Sequence, residues 1–158
     1  MKNNKLKNWT YGIGAVVVLI GLFVWPAITD ENGPLIRTWN EAGVECLDSH
    51  LDLAQHFHPQ LFINVDGINE SLSGNIGIVR GCMAETHIHG GESNIIHVES
   101  VWSDKEFNLG QFVESIYGQP IERAGYILEM KVNGEDSAEY GDLKLEDEQV
   151  IELNYTSI

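Results

Sequence analysis

The chain has 158 residues, 43% of them hydrophobic, with 24 acidic residues against nine lysines and arginines and a formal net charge of −15 at pH 7. That length holds one ordinary domain and an anchor, not two independent cores. The charge argues against nucleic acid as a partner, because a polyanion would be repelled by so acidic a surface.

Taken in chain order, residues 1–9 form a basic leader carrying Lys2, Lys5 and Lys7. Residues 10–27 follow without a charge, bracketed by Trp9 and Trp25. An apolar helix of that length with tryptophans at both ends is expected to span a bilayer, the lysines staying in the cytoplasm and the remainder lying outside. A cleavable signal peptide is the competing reading, but the best cleavage point, after Ala27, has the bulky Trp25 where a small residue is wanted. Residues 28–42, with Asn32, Gly33 and Pro34, lack periodicity and are expected as a juxtamembrane linker. Residues 43–158 are then the extracytoplasmic domain. Without the leader lysines, six basic residues remain against all 24 acids, a charge of about −18 for the exported part,.

Within the domain, residues 61–65 alternate as a strand, Asp66-Gly67 signals a tight turn, and 68–72 returns as the partner of a hairpin. Residues 75–79 are a short apolar piece, and 94–101 reads as a β-branched strand containing His97. Phe107, Phe112, Val113 and Ile116 fall near helical spacing, predicting a helix over 107–117 that Gly118 ends. Residues 126–132 form another strand, closed by Asn133-Gly134, and 149–155 a last alternating one. This order predicts an α+β fold, a small mixed sheet with one packing helix behind a transmembrane segment. It resembles a β-grasp fold, and Leu145 to Leu153 looks like the closing strand of ubiquitin-like sulfur carriers. Those end in Gly-Gly, whereas this chain ends Tyr155-Thr156-Ser157-Ile158, so the carrier function is not implied.

All six histidines lie between residues 50 and 97. Four of them form two alternate-residue pairs, His56-Phe57-His58 and His87-Ile88-His89. In an extended strand, residues i and i+2 share a face, so each pair can aim two imidazoles at one point. Two such strands side by side would offer four nitrogens, enough for zinc or copper, with copper(II) the tighter by the usual affinity order. The candidate metal ligands are His87, His89, His56, His58, His97 and His50. Each histidine by itself is as well read as a solvent-facing or carbonyl-bonded side chain, and the pairing is what raises the metal reading. Met83 and Met130 are soft candidates for copper(I), though core filling is the commoner use of methionine.

Cys46 and Cys82, outside the cytoplasm, are expected to form a disulfide closing a loop around His50, His56 and His58. Thiolate ligation is the rival. Asn69 and Asn154 stand in glycosylation sequons.

From Cys46 to Tyr155 the chain resembles an uncharacterised family of exported or membrane-anchored prokaryotic proteins. The matching elements are Cys46 with His50, His56-Phe57-His58-Pro59, Val65-Asp66-Gly67, Asn75-Ile76-Gly77-Ile78, Cys82-Met83, His87-Ile88-His89, Ile95-Ile96-His97-Val98-Glu99, Leu109-Gly110-Gln111-Phe112 and Val132-Asn133-Gly134. The resemblance implies a shared fold and extracytoplasmic setting, but no activity. The family usually has Asp after the second pair, where this chain has Gly90, leaving Glu85, Glu92 or Glu99 to replace that carboxylate.

His87 to Glu92 is also similar to a cupin metal motif, but its glutamate stands one residue short and no second motif follows. No nucleophile elbow or phosphate loop is present, so the residues single out no catalytic group. The expected function is metal acquisition, delivery or buffering by a membrane-tethered domain, with service as an accessory to a membrane metalloprotein among the expectations. The alternative is a structural or interaction subunit of a membrane or cell-surface complex, its histidines in the core or an interface; a metal-dependent enzyme, with Glu92 or Glu99 as formal base, is the minority reading.

Overall fold

The computed structural model describes residues 32–47, 50, 52–72 and 74–158. The expected membrane anchor at 10–27 lies outside the described residues, and among those described no helix is long and apolar enough to cross a membrane.

The largest sheet is mixed and five-stranded. The Asp66-Gly67 turn joins β3 (Gln60–Val65) to β4 (Ile68–Glu70), and the Asn133-Gly134 turn joins β9 (Tyr126–Val132) to β10 (Glu135–Ser137). All four turn residues have positive φ, the backbone that two-residue hairpin turns require and that Asn, Asp and Gly tolerate best,. The last strand, β11 (Val150–Ser157), enters between the hairpins, parallel to β3 and antiparallel to β9, giving the order β10-β9-β11-β3-β4. Alternation puts Ile151, Leu153 and Tyr155 of β11 on the face that also buries Leu61, Ile63 and Met130,. Met130 is therefore core.

Packed into that core is a π-helix, Gln111–Ile116, which buries Phe112, Val113 and Ile116. It begins later than the helical spacing suggested. The Phe107 carbonyl accepts the Leu145 N–H and so is not available to a helical turn, whereas Leu109, whose N–H donates to the Leu143 carbonyl, already has helical backbone,. Its start is capped reciprocally, Asn108 N–H donating to Gln111 Oε1 and Gln111 N–H to Asn108 Oδ1, each at 2.8 Å,. Gln111 Nε2 then donates to the Ala42 carbonyl, tying this turn to the end of a second helix, α1 (Gly33–Glu41). That helix replaces much of the expected linker. Pro34 sits in its first turn, where a missing N–H costs nothing, and Trp39 is buried,.

Two small antiparallel sheets complete the described residues. One is ordered β1-β6-β5, from β1 (Cys46–Leu47), β5 (Ile78–Val79) and β6 (Cys82–Ala84). The other is ordered β2-β8-β7, from β2 (Gln55–Phe57), β7 (Thr86–His87) and β8 (His97–Ser100). The expected strands at 75–79 and 94–101 are thus shorter than read, because Asn75, Gly77 and Asn94 adopt positive φ and break them. The second small sheet is fixed to β3 through Leu61 N–H to the Asn94 carbonyl and Ile96 N–H to the Pro59 carbonyl. Cys46 and Cys82 are joined in a disulfide with their Cα atoms 5.1 Å apart, at one end of the β1–β6 ladder.

A polar clamp holds the hairpin edge. Glu70, ending β4, accepts from Arg123 Nη1 at 2.8 Å and from Tyr117 Oη at 2.9 Å. The Arg123 guanidinium stacks 4.4 Å from the Tyr155 ring, whose hydroxyl donates to the Ile121 carbonyl. The bond from Arg123 comes first in holding the Glu70 carboxyl below its ordinary 4.5.

Two predictions follow from these ties. Replacing both cysteines by alanine should lower stability by roughly 3–4 kcal/mol, since the bridge closes a 36-residue separation, and a denaturant midpoint unchanged by the replacement would contradict this,. For Glu70, a carboxyl depressed in the folded state contributes stability that is present above about pH 4.5 and lost as pH falls through the folded value,. Glu70→Gln should thus cost about 1 kcal/mol in urea unfolding at pH 7, the partly exposed pair being discounted for screening, and the gap to the parent should close in acid.

Candidate metal centre

The ladder of the β2-β8-β7 sheet decides which side chains meet. In register, His87 of β7 stands opposite His97 of β8, and His56 of β2 stands opposite Glu99 of β8. His97 and Glu99, two residues apart on the central strand, share a face by the strand period. The two histidine pairs therefore do not lie on adjacent strands. They flank a central strand that supplies one more imidazole and a carboxylate. His58 and His89 follow their strands by one and two residues and still turn inward, their rings 4.6 Å from His56 and from His87 respectively.

All six histidines are brought together. His97 is the hub, its ring centroid 5.4 Å from His87, 4.5 Å from His89, 4.6 Å from His58 and 6.1 Å from His56. His50 joins from the disulfide-closed loop, its ring 5.7 Å from His89. Asp147 helps to hold the arm, accepting the His58 backbone N–H at 3.0 Å.

At the centre is Glu99, whose side chain is 2% exposed. Its Oε2 accepts from His50 Nδ1 at 2.8 Å, while Oε1 lies 3.3 Å from His56 Nε2 and 4.0 Å from His97 Nδ1. Among the described residues its ion-pair partners are all histidines.

Hydrogen bonds on the far side of two rings set their tautomers. His87 Nδ1 donates to the Ala84 carbonyl at 2.8 Å, which leaves the Nε2 lone pair facing His89 Nε2 at 3.1 Å. Two imidazole nitrogens on one tetrahedral zinc, each bonded at about 2.0–2.1 Å, would stand about 3.3 Å apart, close to what is seen. His97 Nε2 donates to Glu92 Oε2 at 2.6 Å, which leaves His97 Nδ1 as the acceptor nitrogen, buried and without a hydrogen-bond partner. Imidazoles held by an outer carbonyl or carboxylate are the usual pattern of metal-ligating histidines. Burial pushes the His87 imidazole down to about 4, outweighing the opposing Ala84 bond, so this ring is neutral at ordinary pH. Burial also lowers His97, against the raising effect of Glu92, and the bond from His97 holds the Glu92 carboxyl low.

Two overlapping groups have the spacing a metal ion needs, their donor atoms all within 4.8 Å of one another: His87, His89, His97 and Glu99, and His56, His58 and His97. His50 belongs to neither and touches the site through Glu99. Of the three carboxylates that could replace the one missing at Gly90, Glu92 and Glu99 reach the histidines. Glu85 does not: it is engaged with the Glu45 N–H, Ser100 Oγ and Lys105 Nζ. Both cysteines are bridged, which removes them as thiolate ligands. Glu99 is the residue underweighted in the sequence, although His97-Val98-Glu99 has the same alternate-residue signature as the two histidine pairs.

Behind the site, Gly77 (φ +78°) lets a loop press against β7. A methyl group there would come 2.8 Å from the Thr86 carbonyl oxygen, 2.9 Å from Ile116 Cγ2 and 3.0 Å from His87 Cβ. The packing of His87 thus depends on both this glycine and the π-helix.

Compared with protein-family models, curated proteins and solved structures, the chain matches none.

Gly77→Ala should destabilise the domain by about 2–4 kcal/mol, adding overpacking to the strain of positive φ. Gly81→Ala, at φ +82° but with nothing within 4 Å of the added carbon, should cost only the backbone part, about 1–2 kcal/mol,. Equal losses in denaturant unfolding would show that the contact with His87 carries no weight.

Proposed function

We propose that this chain is an extracytoplasmic, membrane-tethered domain that binds a transition metal, copper by preference and zinc as the alternative, for acquisition, delivery or buffering. The observation that carries this reading is the clustering of six imidazoles beside one buried carboxylate, with His50, His56 and His97 within 4.0 Å of it. A carboxylate taken out of water costs several kcal/mol unless charge and hydrogen bonds compensate it, and a cation held by the surrounding nitrogens would supply that compensation. Imidazole with carboxylate suits copper(II) and zinc, and copper leads by intrinsic affinity.

The disulfide supports an oxidising compartment, as does the order of Cys46, His50, His56, Cys82, His87 and His97 that resembles exported prokaryotic proteins,. We read the five-stranded sheet as β-grasp-like, supported by the parallel central pair β3 and β11 between two hairpins, with a helix linking the first hairpin to the second. On that reading, His87, His89 and His97 lie in the long connection between the first hairpin and the helix, while His50, His56 and His58 precede that hairpin. The interaction-subunit alternative draws support from Val101 and Trp102, adjacent and each more than half exposed.

The test is elemental analysis of the full chain, matured in an oxidising compartment and equilibrated with copper or zinc against a competing chelator. At least one tightly held ion per chain is expected. His97→Ala, at the residue common to both groups, should weaken binding by roughly 10–100-fold or more,. A folded chain that takes up neither metal would leave the histidines structural.

A further inference from the structure

The cluster is larger than one ion needs. A tetrahedral site uses four donors, and six imidazoles and a carboxylate converge here,. The histidine pairs, moreover, arrive from opposite edges of a three-stranded sheet, separated by β8. Each pair forms its own donor group, and only His97 is common to both.

Resting on the metal-binding reading above, we propose that the site holds two transition-metal ions, one at His87 and His89 and the other at His56 and His58, with Glu99 and His97 lying between them. Two observations favour two ions over one. The two oxygens of Glu99 face different histidines: Oε2 is held by His50, whose ring lies beside His89, while Oε1 lies by His56 Nε2. A carboxylate so divided is suited to bridge two cations, as carboxylates do in two-metal sites. Within each pair the rings are 4.6 Å apart, the same spacing on both sides of β8. The buried Nδ1 of His97, without a hydrogen-bond partner among the described residues, is directed to the Glu99 oxygen nearer His56, while its Nε2 is already committed to Glu92. His97 therefore has one donor atom for the shared region and cannot serve as a ligand through both nitrogens without giving up Glu92.

The pairs differ in access. His87 is fully buried, whereas His56 is about half exposed. The ion at His87 and His89 is accordingly the harder to remove, and the ion at His56 and His58 is the one open to exchange.

The test is copper(II) loading of the full chain, with copper per chain measured by elemental mass spectrometry and spin coupling by electron paramagnetic resonance. The parent should hold two coppers per chain with a coupled copper(II) spectrum. His56→Gln with His58→Gln should hold one, with an uncoupled signal, and so should His87→Gln with His89→Gln. If the buried His87 position prevents folding, His89→Gln alone replaces it, and far-UV circular dichroism with thiol titration reports the fold. A single copper in the parent, whether it is lost from both variants or survives in one, would overturn the two-ion arrangement and leave the metal-binding function standing. No uptake of copper or zinc by the folded parent would overturn both.

Discussion

The constraint on which the centre turns is the burial of the Glu99 carboxylate. It is withdrawn from water on the middle strand of a sheet only three strands wide, and the groups within ionic range are imidazoles. Lysine and arginine carry a fixed charge at neutral pH, but an imidazole is neutral or charged as its surroundings dictate. A carboxylate in this position depends on the hydrogen bonds and charge that its surroundings can supply. Much else follows: the register that sets His56 across from Glu99, the outer bond from Glu92 that orients His97, and the closed loop that delivers His50 to the carboxylate.

Such a centre contributes little stability of its own, and the molecule divides the work accordingly. The five-stranded sheet and the π-helix bury the long apolar side chains, Phe112, Ile151, Leu153 and Tyr155 among them. The strands bearing the histidines are two to four residues long, too short to stand alone,. They are held by borrowed supports: the disulfide, the backbone bonds from Leu61 and Ile96, and the wedge of Gly77 and Ile116 behind His87. Polar and strained features gather at the histidine cluster, and a conventional core offsets them elsewhere.

This division also explains what was legible in the sequence. Strands of the large sheet announce themselves by alternation and by Asp66-Gly67 and Asn133-Gly134, and their turns have the backbone those residues imply. The histidine pairs were equally plain, because the strand period alone predicts a shared direction. What the pattern could not carry was the strand between them. Two-residue strands such as β5 and β7 have no period to detect, and the pairing of β8 with both partners is a long-range event. Pro34 opens a helix where a linker is expected, since Asn32-Gly33-Pro34 before a tryptophan-bearing segment suits either use,. The π-helix was displaced because Phe107, apolar and in helical phase, satisfies its backbone with Leu145 instead.

Access separates a structural ion from an exchanged one. Structural zinc sites are closed on all sides by their ligands, which makes the ion part of the fold. Here burial is graded across the cluster: His87 and Glu99 are sealed, His97 is nearly so, and His50 and His56 are about half open to solvent. An ion would meet exposed nitrogens first and buried ones last, drawn towards a chain of net charge −15,. At the mouth, Glu92 is about 40% exposed and pairs with the deep His97, so rim and interior are joined by a single hydrogen bond. This gradient is the opposite of what permanent sequestration calls for. On the proposed metal-binding reading, it would give an entering ion a succession of partial ligand sets and a departing one the same path in reverse, as delivery or buffering requires.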